Sequence, residues 1–142
     1  MAKIQLLTTA NVPMSPLRVF LVEDSAPVRE LIQENLREIP GLVVSGFADT
    51  EAGALAALSH DAPDVVIFDI ELKQGNGISL LRSLASAGLL RTTLKIIFSN
   101  NVSTAYRRVG KQYGVVHFFD KTSELSQLCS LLRRVRQGLL QD

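Results

Sequence analysis

Residues 64–71 read DVVIFDIE, and this stretch decides the predicted fold. Four consecutive apolar residues, two of them valines, are typical of a strand that is buried on both faces of a parallel sheet. Helical patterns separate this run from others of the same form, which predicts a sheet built from βα units. Three of those other runs also end in polar residues: LRVFLVED at 17–24, LKIIFSNN at 94–101 and GVVHFFDK at 114–121.

From Leu17 the pattern alternates five times between strand and helix, which predicts one α/β domain over 17–140 with helices on both faces of the sheet. Residues 1–16 show no periodicity and contain two prolines, so we expect a flexible N-terminal arm, with Met14 as an alternative start. The predicted strands cover about 18–23, 42–47, 65–69, 94–98 and 115–119. The first predicted helix begins after a cap at Ser25 and the second after a cap at Thr50 or Asp49. The fourth covers about 103–113 and the last about 124–139.

Composition excludes several classes of protein. A chain of 142 residues with a net charge of +1 has no overall field that would favour nucleic acid or an anionic membrane. Charge is unevenly spread, because residues 1–90 carry 6 basic and 11 acidic residues whereas 91–142 carry 9 and 3. The single cysteine, Cys129, excludes an internal disulfide, and no apolar run approaches the ~20 residues that span a bilayer. We therefore expect a cytoplasmic protein.

Polar side chains cluster at the predicted strand ends. The carboxyl ends of parallel strands share one edge of the sheet, and ligands bind there. Acids, a hydroxyl and an ammonium group are therefore expected to converge, and oxygen ligands of this kind suit Mg²⁺ together with phosphate oxygens. Taken singly, each has a plainer interpretation as a helix cap or a solvated surface group. The residues concerned are Glu23, Asp24, Asp69, Ser99, Asn100 and Lys121.

In order and spacing, these residues resemble the receiver domain of two-component response regulators over about 17–139. Gly77 matches the glycine that the family places after the acceptor loop, and Phe118 falls at the position of its switch aromatic. The resemblance implies a doubly wound, flavodoxin-like sheet of five parallel strands in the order 2-1-3-4-5.

The resemblance also implies a role for each site residue. Asp69 would be the nucleophile that accepts a phosphoryl group from a sensor histidine kinase or phosphotransfer protein. Mg²⁺ would be bound by Asp24 and Asp69, by Glu23 through water, and by the backbone carbonyl of Glu71. The phosphoryl oxygens would be held by Ser99, Asn100 and Lys121. Ser99 and Phe118 would then switch the face formed by helix four, strand five and helix five.

Two positions depart from the family pattern. The family usually has a proline after the lysine, joined by a cis peptide, but Thr122 stands here, and a cis bond before a residue other than proline costs ~3–4 kcal/mol. The family also favours proline four residues after the acceptor, where this chain has Lys73. We therefore expect a more mobile acceptor loop.

Alternative functions remain open at this stage. VVIFDIEL also resembles the nucleophile loop of haloacid-dehalogenase-like phosphatases, although that family has its nucleophile near the N-terminus and a further acidic motif after the lysine. A receiver-like interaction module that is never phosphorylated is a third reading. A nicotinamide-binding fold is disfavoured, because the first turn, 24–27, lacks the Gly-x-Gly-x-x-Gly fingerprint.

The expected partners are proteins. The residues after Leu139 carry no DNA-binding or enzymatic pattern, so we expect either a stand-alone regulator or a receiver separated from its output domain. The predicted non-enzymatic role runs through a kinase or phosphotransfer protein and a downstream effector, without direct contact to nucleic acid or membrane. Helices four and five carry an excess of basic residues, which opposes a self-complementary contact. We expect a monomer or a weak, phosphorylation-dependent homodimer.

Overall fold

The computed structural model describes residues 15–138, and its centre is a parallel sheet of five strands. The strands are β1 (Leu17–Val22), β2 (Leu42–Ala48), β3 (Val65–Phe68), β4 (Leu94–Ser99) and β5 (His117–Asp120). Their order in the sheet is β2-β1-β3-β4-β5, which confirms the doubly wound order 2-1-3-4-5. The predicted arm at 1–16 lies almost wholly outside the described residues and stays a prediction, as does Met14.

A helix follows each strand. The helices are α1 (Ala26–Arg37), α2 (Glu51–His60), α3 (Gly77–Ser86), α4 (Thr104–Gln112) and α5 (Leu125–Arg136). The predicted caps at Ser25 and Thr50 are confirmed, since each side chain accepts a hydrogen bond from a backbone N–H in the first turn. Ser103, predicted as the first residue of the fourth helix, caps α4 in the same way. Along residues 15–138, no helix is long and apolar enough to cross a membrane.

Most strand boundaries differ by at most one residue from the sequence-based prediction, but the start of the last strand and the end of the last helix differ by more. The last strand begins at His117, two residues later than expected, because the N–H of Val115 bonds the Gly110 carbonyl and so closes the end of α4. The last helix is regular only to Arg136, where the chain turns through Gln137 and Gly138. Val115 is nevertheless fully buried, which explains why its hydrophobicity suggested a strand.

Two apolar cores cover the two faces of the sheet. Successive strand residues point to opposite faces, so Leu21 packs with α1 and α5 whereas Val22 packs with α2, α3 and α4. The central strands β3 and β4 are buried along their whole length. The buried polar residues of these two strands are Lys95, near the start of β4, and Ser99, at its carboxyl end, where the candidate site lies.

Candidate functional site

The site is assembled at the carboxyl ends of four neighbouring strands. Backbone pairing continues past the strand ends, since the N–H of Asp69 bonds the Val22 carbonyl at 2.9 Å and the N–H of Lys121 bonds the Ser99 carbonyl at 3.0 Å. The first bond places Asp69, just after β3, beside the end of β1. The second places Lys121, just after β5, beside the end of β4. The parallel register, rather than the loops alone, therefore brings the predicted side chains together.

Lys121 lies between two buried carboxylates. Its Nζ donates to Asp69 Oδ2 and to Glu23 Oε1, and both distances are 2.8 Å. Glu23 is 3% exposed and Asp69 is 6% exposed, so each would carry a large desolvation penalty without a cation beside it. The structure thus brings Glu23, Asp69 and Lys121 into one cluster, as the strand-end pattern predicts.

Burial and hydrogen bonding shift the pKa values of Glu23 and Lys121. Desolvation raises the pKa of Glu23 above its usual value, and the charge of Asp69 adds to that rise, whereas the hydrogen bond from Lys121 opposes it. Desolvation lowers the pKa of Lys121, but the bonds to Asp69 and Glu23 outweigh this effect, so its pKa is raised overall. The two carboxylates therefore favour the protonated, charged form of Lys121.

An oxygen-only donor set is available beside the lysine. Glu23, Asp24 and Asp69 each offer one carboxylate oxygen, and these atoms all lie within 4.8 Å of one another. The β1–α1 loop is held by two further bonds, because the N–H of Ser25 donates to Glu23 Oε2 at 3.0 Å and Arg29 donates to the Glu23 carbonyl at 2.7 Å. Three carboxylates around one lysine leave excess negative charge, and hard oxygen donors of this kind fit Mg²⁺.

The hydroxyl side of the site is formed by the end of β4. Ser99 is 1% exposed, and its Oγ accepts a hydrogen bond from the N–H of Asn101 at 3.3 Å. The cap of α4 is Ser103, so the alternative reading of Ser99 as that cap is wrong. Asn100 is exposed at the start of the following loop.

Asn101 was not singled out by the sequence reasoning. Its Nδ2 contacts Glu71 Oε2 at 3.4 Å, so that residues two positions beyond Asp69 and Ser99 meet. The only signal in the sequence for this contact is that Glu71 and Asn101 lie the same number of residues after Asp69 and Ser99.

Phe118 points into the core beside α4. Its side chain is buried, and its ring lies against Gly110. The Arg107 guanidinium lies 5.3 Å from the ring centroid, while Arg107 Nε donates to the Val102 carbonyl at 3.0 Å. Arg107 therefore joins the β4–α4 loop to the aromatic ring, so it is not the freely exposed helix-four cation that the basic pattern suggests.

The acceptor loop runs from Asp69 to the start of α3. A Cβ on Gly77 would lie 2.3 Å from the Asp69 carbonyl oxygen, so this position requires glycine for close backbone approach. Asn76 caps α3, since its Oδ1 accepts from the N–H groups of Ile78 and Ser79. The loop and the first turn of α3 also contact Glu51 of α2, through Asn76 and Ser79. The sequence reasoning missed Glu51 because these partners are 25 or more positions away.

The turn after β5 closes without a proline. Thr122 donates to Asp120 Oδ1 from its hydroxyl and, at 2.8 Å, from its backbone N–H, and these bonds lower the pKa of Asp120. No cis peptide bond occurs within residues 15–138. Lys121 still reaches Asp69, so Thr122 is compatible with the expected direction of the lysine.

Comparisons with known proteins identify the family of this chain. The family model of the response regulator receiver domain matches residues 19–133. A protein-glutamate methylesterase/protein-glutamine glutaminase of Koribacter versatilis is 33% identical over 116 residues, which are 80% of this chain and 31% of that protein. A homologue of the same description from the group 3 operon of Bradyrhizobium diazoefficiens is 38% identical over 72 residues, 51% of this chain and 20% of its own length.

Solved structures of receiver domains are also similar to this chain. The response regulator domain of Thermotoga maritima CheB is 28% identical with a TM-score of 0.72, and the match covers 89% of this chain and 98% of that domain. The signal receiver domain of the putative response regulator NarL from Mycobacterium tuberculosis has a TM-score of 0.75 at 23% identity, with 88% and 99% covered, and supports the fold alone.

Family membership selects among the alternatives left open by the sequence. The match spans most of the chain and favours the receiver interpretation over the phosphatase one. This chain spans less than a third of the length of the two methylesterase relatives described above. It belongs to the response regulator receiver domain family and is a receiver domain of a two-component response regulator.

Proposed function

We propose that this receiver domain accepts a phosphoryl group on Asp69, with Mg²⁺, from a sensor histidine kinase or a phosphotransfer protein. The observation that carries the proposal is the position of Lys121 Nζ, 2.8 Å from Asp69 Oδ2 and from Glu23 Oε1 at the edge where three carboxylates meet. A buried carboxylate paired with a lysine ammonium is suited to exchange that partner for a metal ion and a phosphoryl group. The proposed role is non-enzymatic toward small substrates.

The proposed metal ligands are the carboxylates of Asp24 and Asp69, that of Glu23 through water, and the Glu71 carbonyl. Bound there, Mg²⁺ would neutralise the charge of the carboxylates and of the incoming phosphoryl oxygens. The side chain of Glu23 is almost fully buried, which fits a carboxylate that contacts the metal through a water molecule. Asp24 is half-buried and lies at the mouth of the cluster.

The protein's own contribution to the transfer is positioning and charge. The Asp69 carboxylate oxygen attacks phosphorus, the bond from phosphorus to the donor's imidazole nitrogen breaks, and that nitrogen keeps the electron pair. Lys121 then pairs with a phosphoryl oxygen, and the Ser99 hydroxyl with another, while the backbone N–H of Asn100 is a further donor. Charge-assisted bonds of this kind are about twice as strong as neutral ones.

The signal would leave the site through Ser99 and Phe118. The Ser99 hydroxyl bonds the β4–α4 loop, and Arg107 ties that loop to the Phe118 ring. A shift of Ser99 toward a phosphoryl oxygen would therefore be felt at the surface of α4, β5 and α5, where a downstream effector protein would bind. To change the ratio of active to inactive conformations from 1:99 to 99:1, the phosphoryl group must favour the active conformation by about 5.5 kcal/mol.

The test is modification by acetyl phosphate, read as the intact mass of the full chain. We expect one phosphoryl group per chain that requires Mg²⁺, and none in Asp69→Asn, because the amide is not a nucleophile here. Asp64→Asn is the matched control, since Asp64 stands at the opposite end of the same strand. Modification that persists in Asp69→Asn, or that ignores chelation of Mg²⁺, contradicts the proposal; no modification of the wild type would favour a purely non-covalent interaction module.

A further inference from the structure

Glu51 is the first residue of α2, yet its carboxylate is directed at the acceptor loop. Oε1 accepts from the backbone N–H of Asn76 at 3.0 Å, and Oε2 accepts from the Ser79 hydroxyl at 2.7 Å. The backbone N–H of Glu51 donates to the Gln74 carbonyl at 3.0 Å. Two hydrogen bonds of Glu51 therefore join α2 to the loop between β3 and α3, and a third joins it to the first turn of α3.

These bonds are not needed to cap α2. Thr50 already caps that helix, since its Oγ1 accepts from the N–H of Gly53 at 3.0 Å. A carboxylate in a first helical turn is favoured by the helix dipole wherever it points. The direction of the Glu51 side chain is thus explained by its partners in the loop.

The loop is shaped to receive the Glu51 side chain. Gly75 has a φ of +93°, and a Cβ at that position would lie 2.3 Å from Cβ of Glu51 and 2.6 Å from its Oε1. A side chain on residue 75 would therefore both strain the backbone and displace the carboxylate. Gly75 therefore leaves the space that the Glu51 side chain occupies.

The contact reaches the proposed metal site through one residue. Asn76, which is held by Glu51, pairs with Glu71 in an isolated antiparallel bridge, and Thr50 pairs with Gln74 in a parallel one. Glu71 is the residue whose carbonyl is the proposed metal ligand. Position 73, where the family favours proline, is Lys73, so the loop lacks the restriction of φ that a proline would impose.

We infer that Glu51 is a positioning residue for the metal site, which holds the Glu71 carbonyl in place through Asn76 and thereby sets the affinity for Mg²⁺. The inference rests on the proposed function, because it takes Glu71 as a metal ligand. Partners that orient metal ligands typically contribute 10- to 100-fold to metal affinity. Glu51 acts through one intervening residue, which places its expected effect at the lower end.

The test is the Mg²⁺ affinity of the full chain, measured by titration calorimetry. Glu51→Ala is expected to bind Mg²⁺ about tenfold more weakly than the wild type. Glu51→Gln is expected to restore near wild-type affinity, because its amide oxygen accepts from Asn76 and its amide N–H donates to the Ser79 hydroxyl. This rescue separates positioning from charge, since both variants remove the same negative charge.

Two further variants complete the test. Ser79→Ala removes only the second bond and should keep wild-type affinity. If Glu51→Ala does not fold, Glu51→Asp replaces it, because the shorter side chain keeps the charge but does not reach Asn76, and weaker binding is again expected. Thermal unfolding of each variant checks that the fold is retained.

The possible outcomes distinguish failure of the positioning role of Glu51 from failure of the proposed metal site. If the wild type binds Mg²⁺ and Asp24→Asn weakens that binding, but Glu51→Ala does not, the positioning role is wrong and the proposed metal site stands. Equal losses in Glu51→Ala and Glu51→Gln would show a charge effect and also overturn the inference. A wild type without Mg²⁺ affinity would overturn both.

Discussion

The ring of Phe118 packs against Gly110 so closely that a Cβ on Gly110 would approach the ring carbons to 2.8 and 2.9 Å. Real Cβ atoms do not make such contacts, so the absence of a side chain at position 110 allows Phe118 to lie inward. Ile97 Cδ1, at 3.3 Å from the same point, closes the other side. One glycine in α4 therefore sets the conformation of the proposed switch aromatic.

Gly110→Ala is predicted to displace the Phe118 ring. Overpacking a core costs about 1–3 kcal/mol, whereas replacing glycine by alanine in a helix gains about 1 kcal/mol, so we expect a net loss of roughly 1 kcal/mol in the free energy of unfolding. In a Phe118→Ala background the clash is gone, and the same substitution should stabilise. Urea unfolding of the four proteins measures both signs; stabilisation in both backgrounds would contradict the close contact.

Glu23→Gln is predicted to change how stability depends on pH. The pKa of Glu23 is raised in the folded state, so between its ordinary value near 4.5 and that higher value the folded chain retains a proton that the unfolded chain has released. Stability contributed by Glu23 is thus present at low pH and lost as pH rises through this window.

Unfolding of the wild type and of Glu23→Gln across pH 4.5 and above measures this effect. The wild type should lose stability relative to the variant as pH rises, and saturating Mg²⁺ should shrink the difference, because a cation favours the ionised carboxylate. The control is Glu34→Gln on the exposed face of α1, which should follow the wild type. Parallel curves for wild type and Glu23→Gln would exclude the raised pKa.

Asp24→Asn is predicted to weaken Mg²⁺ binding at least about tenfold, since it removes a carboxylate that we propose as a direct ligand. Its thermal unfolding should change little without metal, because Asp24 is only half-buried. Asp49→Asn is the matched control: Asp49 is exposed after β2 at the same edge of the sheet, and its loss removes an equal charge. Equal weakening by the two substitutions would indicate a diffuse charge effect instead of a ligand.

Assembly is predicted to be weak and salt-dependent. Four exposed cations on α4 and α5 repel a second copy of the same face: Arg108, Lys111, Arg133 and Arg134. Arg107 and Arg136 contribute less, because they are engaged by Phe118 and by the Gly41 carbonyl. We expect a monomer or weak dimer, and tighter pairing or capture of an acidic partner surface after phosphorylation.

Sedimentation with and without a beryllofluoride phosphoryl mimic, at low and high salt, tests this prediction. High salt screens like charges and should favour any self-association that occurs. A tight dimer in both states that is insensitive to salt would show that an apolar contact outweighs the basic residues.

The sequence by itself determined the fold class and the edge at which the site lies. Apolar runs such as 65–68 define buried strands, and local caps such as Ser25 define helix starts, because both signals depend on neighbours in the chain. Parallel topology then requires Asp69 and Lys121 to converge. Tyr106, Val109 and Tyr113, in and beside α4, pack against the core but are only partly buried.

Only the tertiary structure decided which side chains support the site. Glu51 meets Asn76 across 25 positions, and Gly110 meets Phe118 across a helix and a turn. Neither contact leaves a periodic or local signal, because a glutamate at a helix start and a glycine within a helix each have common roles of their own. Their function follows from close packing between segments, where a few tenths of an ångström determine whether two groups bond or clash, and one-dimensional patterns do not carry that distance.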